Sequence, residues 1–128
     1  MNEFTQEATH KTPEIKGNIQ EGKLAIKGKS IPEDARDFYL PFRNWLLSFV
    51  KTEAERIEVD VDLEYFNTSS SSILLDVFKH LRKTSEQKPV AITWIYEEDD
   101  MEMEEVGQDY KLMIGDIITL ESKPYLED

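Results

Sequence analysis

The succession of a strand, a helix and a second strand in the middle of the chain constrains the fold most strongly. RIEVDVDLEYF, residues 56–66, alternates apolar with mostly acidic side chains, which predicts a strand with one wet face. From about Ser69 an apolar stripe at helical spacing predicts a helix that ends before Pro89. VAITWIYEE, residues 90–98, then predicts another strand. This order predicts a right-handed parallel crossover and therefore an α/β fold.

The crossover also indicates where a functional site would lie. Residues 66–70 follow its first strand, so they lie at the carboxyl edge of the parallel strands. Open α/β sheets usually place their functional residues at this edge. We therefore expect the site around residues 66–70.

The N-terminal third of the chain predicts a hairpin followed by a helix. PEIKGN, residues 13–18, and KLAIKGK, residues 23–29, alternate over short distances and flank Gly22, which predicts an antiparallel hairpin with Gly22 in the turn. Residues 30–51 then carry aromatic and apolar side chains at helical spacing. Residues 1–11 lack periodicity and are expected to form a flexible tail.

The C-terminal part predicts a third helix within residues 99–115 and a last strand within residues 116–123. The predicted order is β-β-α-β-α-β-α-β in one domain over residues 12–128, and 128 residues suffice for a single core.

Charge patterning predicts one strand pairing. Lys23, Lys27 and Lys29 occupy alternate positions of the second predicted strand, and acidic residues occupy alternate positions of the strand at residues 56–66. Opposite charges on neighbouring strands stabilise their pairing. We therefore expect these two strands to lie side by side.

Composition excludes several classes of protein. Fifteen basic and 27 acidic residues give a net charge of −12, which would repel nucleic acid or an anionic membrane surface. The chain has no cysteine, so disulfides, thiolate metal sites and cysteine nucleophiles are excluded. The N-terminus is too polar for a signal peptide, and no apolar run is long enough for a membrane span. We expect a cytoplasmic protein that binds no nucleic acid and does not insert into membranes.

Patterns that suggest an enzyme are weak. GKS at residues 28–30 resembles the end of a phosphate-binding loop, but its spacing from Gly22 is wrong and the intervening residues predict a strand. His80 lies about two to three turns further along the same predicted helix as the serines at 69–72, too far to act as their base. We therefore predict no catalytic residue and no cofactor.

The densest acidic run, residues 97–105, has two interpretations. Its carboxylates suit the positive end of a helix dipole and contact with water, or they form an acidic docking surface. Its spacing matches no EF-hand loop, so we predict no metal site. A site for a divalent metal that uses Asp99 and Asp100 is the less favoured alternative.

Five consecutive hydroxyl residues, Thr68 to Ser72, begin the helix of the crossover. One of Asn67, Thr68 or Ser69 is expected to be its N-cap. Capping uses only one hydroxyl, and a phosphate would be tolerated beside the free N–H groups at the positive end of the dipole. Two explanations of the five hydroxyl residues therefore remain open: capping of the helix alone, and regulatory phosphorylation.

Four segments resemble the SiaC family of bacterial biofilm regulators: KTPEI, GKSIPEDARDFYLPFRNWL, LEYFNTSSSSILLD and WIYEEDDMEMEEVGQDY. The resemblance extends from about Thr12 to the last strand. It implies a STAS-like α/β domain, like that of anti-sigma-factor antagonists, with a mixed sheet and helices packed mainly on one face. The predicted order of elements agrees with such a domain.

The resemblance also implies a non-enzymatic switch. By this resemblance, a partner serine/threonine kinase is expected to phosphorylate the threonine of the NTSSS motif, here Thr68, and a PP2C-type phosphatase to remove the phosphate. The unphosphorylated form is expected to bind and activate a diguanylate cyclase, a GGDEF protein that makes cyclic di-GMP and thereby controls biofilm formation. An alternative is an interaction module of this fold for another kinase or sigma-factor regulator. The residues expected to bind the partner are Tyr65, Phe66, Asn67, Thr68, Ser69, Ser70, Ser71, Glu98, Asp99 and Asp100.

Overall fold

The structure is a computed structural model that describes residues 3–124. Residues 1–2 of the expected tail and 125–128 of the expected domain lie outside this range. Within it, one mixed sheet of six strands packs against three helices. The elements are β1 (Glu3–Gln6), β2 (Glu14–Asn18), β3 (Lys23–Ser30), α1 (Ala35–Phe49), β4 (Ile57–Phe66), α2 (Thr68–Thr84), β5 (Val90–Glu97), α3 (Met101–Ile114) and β6 (Ile118–Lys123).

The strands follow one another across the sheet in chain order. β1, β2 and β3 are antiparallel neighbours, and β3, β4, β5 and β6 are parallel. The hairpin of β2 and β3 is confirmed, and so is the parallel β4-α2-β5 crossover. Gly22, with a φ of 69°, provides the left-handed residue in the hairpin turn.

The two faces of the sheet have different chemistry. Alternate strand residues such as Val59, Ile92 and Ile118 are buried in one core together with residues of all three helices. The opposite face carries exposed charged residues such as Lys23 and Asp60. The expected α/β fold with a mixed sheet and helices on one face is therefore confirmed.

The predicted pairing of β3 with β4 is confirmed, with one local difference. Lys23 lies opposite Glu58 and Lys27 opposite Asp62. The register then shifts between Gly28 and Lys29, so Lys29 lies opposite Tyr65 instead of an acid. The Asp62 carboxylate accepts hydrogen bonds from the Lys123 ammonium of β6, at 2.8 and 2.9 Å.

The N-terminus differs from the sequence expectation. Residues 3–6 form β1 where no regular structure was expected, so the order of elements has one more strand at its start. The Phe4 ring packs against Phe42 and Trp45, with ring centroids 5.8 and 5.7 Å apart. Gly17, opposite Phe4 in β2, leaves room for Trp45, because a Cβ at this position would lie 2.2 Å from the indole ring. A single anchoring aromatic residue leaves no periodic signal in the sequence.

Candidate functional site

The carboxyl edge of the parallel strands brings the starts of two helices together. β4 ends at Phe66 and leads into α2, and β5 ends at Glu97 and leads into α3. A cleft of about 270 Å³ lies between them. It is lined by Glu64, Tyr65, Phe66, Asn67, Thr68, Ser71, Asp100, Glu102, Met103 and Val106.

Asn67 is the N-cap of α2, one of the three residues that the sequence allowed. Its side-chain oxygen accepts a hydrogen bond from the Ser70 amide at 2.9 Å. Its own amide donates to the Ser30 carbonyl at 3.0 Å, and its side-chain amide donates to the Pro32 carbonyl at 3.4 Å. The start of α2 is thus joined to the segment that connects β3 with α1.

Ser70 is buried below this cap in a chain of hydroxyl groups. Its hydroxyl donates to the Ser30 carbonyl at 3.0 Å and accepts from the Ser30 hydroxyl at 2.8 Å. Because the Ser30 proton is used in this way, the Tyr39 hydroxyl donates to Ser30, at 2.5 Å. Burial raises the pKa of Tyr39 above its ordinary value, so this tyrosine keeps its proton at neutral pH.

Ser71 is held from the other side by α3. The Tyr110 hydroxyl donates to the Ser71 carbonyl at 2.9 Å. The Ser71 hydroxyl lies 3.0 Å from the Tyr110 oxygen and donates to it, since the tyrosine proton is already used. Burial also raises the pKa of Tyr110, which therefore remains a donor at neutral pH.

The five hydroxyl residues therefore fall into two groups. Ser70 and Ser71 face inward and make hydrogen bonds to neighbouring elements, whereas Thr68, Ser69 and Ser72 are exposed. Of the three exposed hydroxyls, only that of Thr68 belongs to a residue that lines the cleft. The geometry thus distinguishes Thr68 from its neighbours without reference to any motif.

The acidic run begins α3. Asp100 is its N-cap and accepts a hydrogen bond from the Met103 amide at 3.1 Å. Glu104 accepts one from the Tyr96 hydroxyl at 3.2 Å, and Glu98 and Asp99 are exposed. These positions fit the interpretation as a helix start with acids in contact with water.

The structure gives no support to the alternatives based on a metal or on His80. Within residues 3–124, no three carboxylate or imidazole side chains are grouped as metal ligands. The His80 Nε2 atom lies 3.8 Å from an Asp76 oxygen one turn earlier on α2, and Arg43 of α1 contacts the same oxygen at 2.6 Å.

No helix in the described range is both long and apolar enough to cross a bilayer.

Comparison with known proteins identifies the family. A model described as SiaC family regulatory phosphoprotein matches residues 6–123, which is most of the chain. The chain belongs to the SiaC family. The resemblance found in the sequence is thereby confirmed.

SiaC structures share the fold. The crystal structure of apo-SiaC from Pseudomonas aeruginosa is 25% identical, has a TM-score of 0.85, and is matched over 95% of this chain and 100% of that one. A chain in the crystal structure of diguanylate cyclase SiaD in complex with its activator SiaC, from the same organism, is 24% identical, with a TM-score of 0.87 over 94% and 99% of the two chains. An uncharacterised protein of P. aeruginosa strain UCBPP-PA14 is 27% identical over 112 residues, 87% of this chain and 89% of that protein.

The expected partner-binding residues of this SiaC-family chain lie in three places. Six of them line the cleft: Tyr65, Phe66, Asn67, Thr68, Ser71 and Asp100. Ser69, Glu98 and Asp99 are exposed beside it. Ser70 is fully buried, so its side chain holds the site together from below and offers no surface to a partner.

Sequence reasoning missed two groups of residues in this SiaC-family site. Glu64, Glu102, Met103 and Val106 complete the cleft, but in the sequence Met103 and Val106 belong to an apolar stripe at helical spacing, which predicts core packing. The hydroxyls of Tyr39 and Tyr110 were missed because an aromatic residue in such a stripe predicts core packing and does not reveal the partner of its hydroxyl.

Proposed function

We propose that this protein is a non-enzymatic switch of the cytoplasm. In its unphosphorylated form it binds and activates a diguanylate cyclase, and phosphorylation of Thr68 ends that activation. The observation that carries the proposal is the position of Thr68, an exposed hydroxyl on the first residue of α2 and beside the cleft. The description of the family as regulatory phosphoproteins supports the modification. The relative described as the activator of SiaD supports a diguanylate cyclase as the partner.

The cleft has the mixed chemistry of a surface that binds proteins. Phe66, Met103 and Val106 provide apolar contacts, and the exposed Tyr65 ring lies at the rim with 58% of its surface accessible. Aromatic residues and methionine are enriched in protein interfaces. We infer that the cyclase contacts this cleft and the start of α2.

Phosphorylation would change this surface in charge and in bulk. A phosphate adds about −1.5 to −2 charges at neutral pH. It would join Glu64, Asp100 and Glu102 around the cleft, in a chain that already has a net charge of −12. The modified threonine would also occupy space that the partner uses. Each 1.4 kcal/mol of repulsion or lost contact weakens binding about tenfold, so two such steps give a switch of about a hundredfold.

Two further partners follow from the proposal. A serine/threonine kinase transfers the γ-phosphoryl group of ATP to the Thr68 oxygen, and a PP2C-type phosphatase returns the free hydroxyl by hydrolysis. Thr68 requires no rearrangement to be reached, because it is exposed. The net negative charge gives no support to nucleic acid as a partner.

The test combines phosphorylation with stimulation of the cyclase. Thr68→Ala should bind and stimulate the cyclase whether or not kinase and ATP are present, and Thr68→Asp should bind at least about tenfold more weakly. Ser72→Ala is the matched control, since it removes an exposed hydroxyl of the same run that does not line the cleft, and it should behave as the wild type. Binding is measured by calorimetry, and the modified residue is identified by fragment mass spectrometry.

Equal binding by Thr68→Ala and Thr68→Asp would contradict the proposal. So would a phosphate found on Ser69 or Ser72. Phosphorylation of Thr68 without any effect on a cyclase would favour the alternative, an interaction module of the same fold for a different regulator.

A further inference from the structure

The first turn of α2 has a sequence that does not favour a helix. Four consecutive serines follow Thr68, and serine side chains compete with the helix by bonding to nearby backbone groups. The first amides of any helix also lack partners within it. Such a turn would fray if nothing outside α2 held it.

Two sets of hydrogen bonds hold this turn from opposite sides. On one side the Tyr39 hydroxyl of α1 donates to Ser30, and Ser30 donates to Ser70. On the other side the Tyr110 hydroxyl of α3 donates to the Ser71 carbonyl, and the Ser71 hydroxyl donates back to Tyr110. We call these the Tyr39 tie and the Tyr110 tie.

The Tyr39 tie is shielded from water, and the Tyr110 tie is shielded in part, because Ser71 is half-buried and lines the cleft. Ser30 and Ser70 are fully buried, and Tyr39 and Tyr110 are 1% and 3% exposed. A buried hydroxyl that loses its partner loses hydrogen bonding that water cannot replace, so each tie favours the closed turn. The exposed Thr68 lies on this turn, two residues before Ser70 and three before Ser71.

We propose that Tyr39 and Tyr110 are positioning residues that hold the first turn of α2 in one conformation, so that the folded surface presents Thr68 to its kinase. The choice of Thr68 as acceptor rests on the proposed function. The partner kinase then recognises a folded acceptor: the start of a helix with its cleft. Neither tyrosine touches the transferred phosphoryl group. Tyr39 acts through Ser30 of β3, which bonds to Ser70, and Tyr110 acts through Ser71.

The direct test is the rate of amide hydrogen exchange, measured for single residues of the whole protein by NMR. The Ser70 amide donates to the Asn67 side chain and the Ser71 amide donates to the Asn67 carbonyl, so both report opening of the first turn. Tyr39→Phe and Tyr110→Phe should each speed exchange at these amides about five- to tenfold, the effect of one lost hydrogen bond, and the double variant should multiply the two effects. Exchange in the middle of α2 should not change.

Tyr96→Phe is the matched control, because the Tyr96 hydroxyl donates its hydrogen bond to Glu104 of α3 and not to the first turn of α2. If a tyrosine variant fails to fold, Ser71→Ala removes the hydroxyl bond of the Tyr110 tie without changing an aromatic ring, and it should speed exchange less than Tyr110→Phe because the bond to the Ser71 carbonyl remains. Unchanged exchange at Ser70 and Ser71 in the tyrosine variants would overturn the proposal. So would equal acceleration along the whole of α2, which indicates a general loss of stability.

Kinase kinetics give the second measurement. A kinase that selects the closed turn binds in proportion to the fraction of molecules in which this turn is closed. The double variant should therefore raise KM by the factor by which the exchange data show that fraction to fall, about threefold where two thirds of the turns are open, and leave kcat unchanged. A tyrosine that only stabilised the fold would change neither constant well below the unfolding temperature. A KM that stays unchanged although the closed fraction has fallen would overturn the positioning role. If the wild type is not phosphorylated on Thr68, the proposed function fails, whereas the exchange measurements still decide whether the ties exist.

Discussion

The starts of α2 and α3 lie side by side at one edge of the sheet, but they are built differently. α2 has a neutral cap, Asn67, no acid in its first turn, and side-chain hydrogen bonds to β3, to the segment between β3 and α1, and to α3. α3 has an acidic cap, Asp100, and Glu102 and Glu104 in its first turn. The first helix start is fixed by its neighbours, and the second carries negative charges of its own, which complement the helix dipole.

The comparison indicates at which of the two helix starts a switch can be placed. One more negative charge changes little at the start of α3, which is already acidic. The start of α2 has no acid, so a phosphate there is the first charge on that turn. A fixed and neutral helix start is therefore the more responsive of the two.

Replacement of Trp94 should have the largest effect, because this buried side chain packs against the starts of both helices. The Trp94 ring packs against Phe66 before α2 and against Phe78 within it, with centroids 5.9 and 6.4 Å apart. It also lies 5.3 Å from the Tyr110 ring and donates a hydrogen bond to the Met103 carbonyl of α3. Trp94→Ala should lower the free energy of unfolding by about 3–5 kcal/mol, as measured by urea denaturation.

Tyr65→Ala is the control for Trp94→Ala, because it removes an exposed ring at the same edge and should cost less than about 1 kcal/mol. Similar losses in the free energy of unfolding for the two variants would show that the helix starts do not depend on packing against Trp94.

Loss of either N-cap side chain should have an intermediate effect on stability, and the two caps should differ. Asn67→Ala should cost about 2 kcal/mol, at the upper end for an N-cap, because the side chain also bonds to the Pro32 carbonyl. Asp100→Ala should cost about 1 kcal/mol or less, because it loses the bond to Met103 but reduces repulsion within the acidic run. Urea denaturation at neutral pH gives both values, and a larger loss for Asp100→Ala would reverse the comparison.

The smallest effect is a dependence of stability on pH in alkaline solution. It comes from Tyr39 of α1, whose hydroxyl bonds to Ser30 beside the start of α2. Burial raises the pKa of Tyr39 above its ordinary value of 10.0, so above that pH the unfolded chain ionises this tyrosine before the folded one does. The associated stability is complete below pH 10 and is lost as the pH rises, at no more than about 1.4 kcal/mol per pH unit. Tyr39→Phe should therefore lose less stability than the wild type between pH 8 and pH 11, as measured by urea midpoints. Parallel pH curves would contradict this expectation.

Local patterns in the sequence predicted most of the fold. The alternation in residues 57–66 and the helical stripe after Asn67 predicted β4 and α2, and their succession predicted the edge of the sheet where the cleft lies. The pattern failed where one residue decides the structure. Phe4 is the one aromatic residue of β1 that packs against α1, and the irregularity after Gly28 shifts Lys29 away from the acids of β4.

The candidate site was predicted in part for a similar reason. Asn67 and Thr68 follow a strand directly, so their position could be read from the sequence. The partners of Ser70 and Ser71 are 40 and 39 residues away, on other elements. Hydrogen bonds between such distant hydroxyls leave no periodic signal, and only the packing of the helices shows them.

The separation of Tyr110 from Thr68 along the chain has a consequence for biosynthesis. A growing chain that has reached only the end of β5 already contains Thr68, but it lacks the tyrosine that holds Ser71. An acceptor that depends on both ties is therefore completed after α3 has been made and has packed. A kinase that requires this acceptor would act on finished molecules and leave nascent chains unmodified.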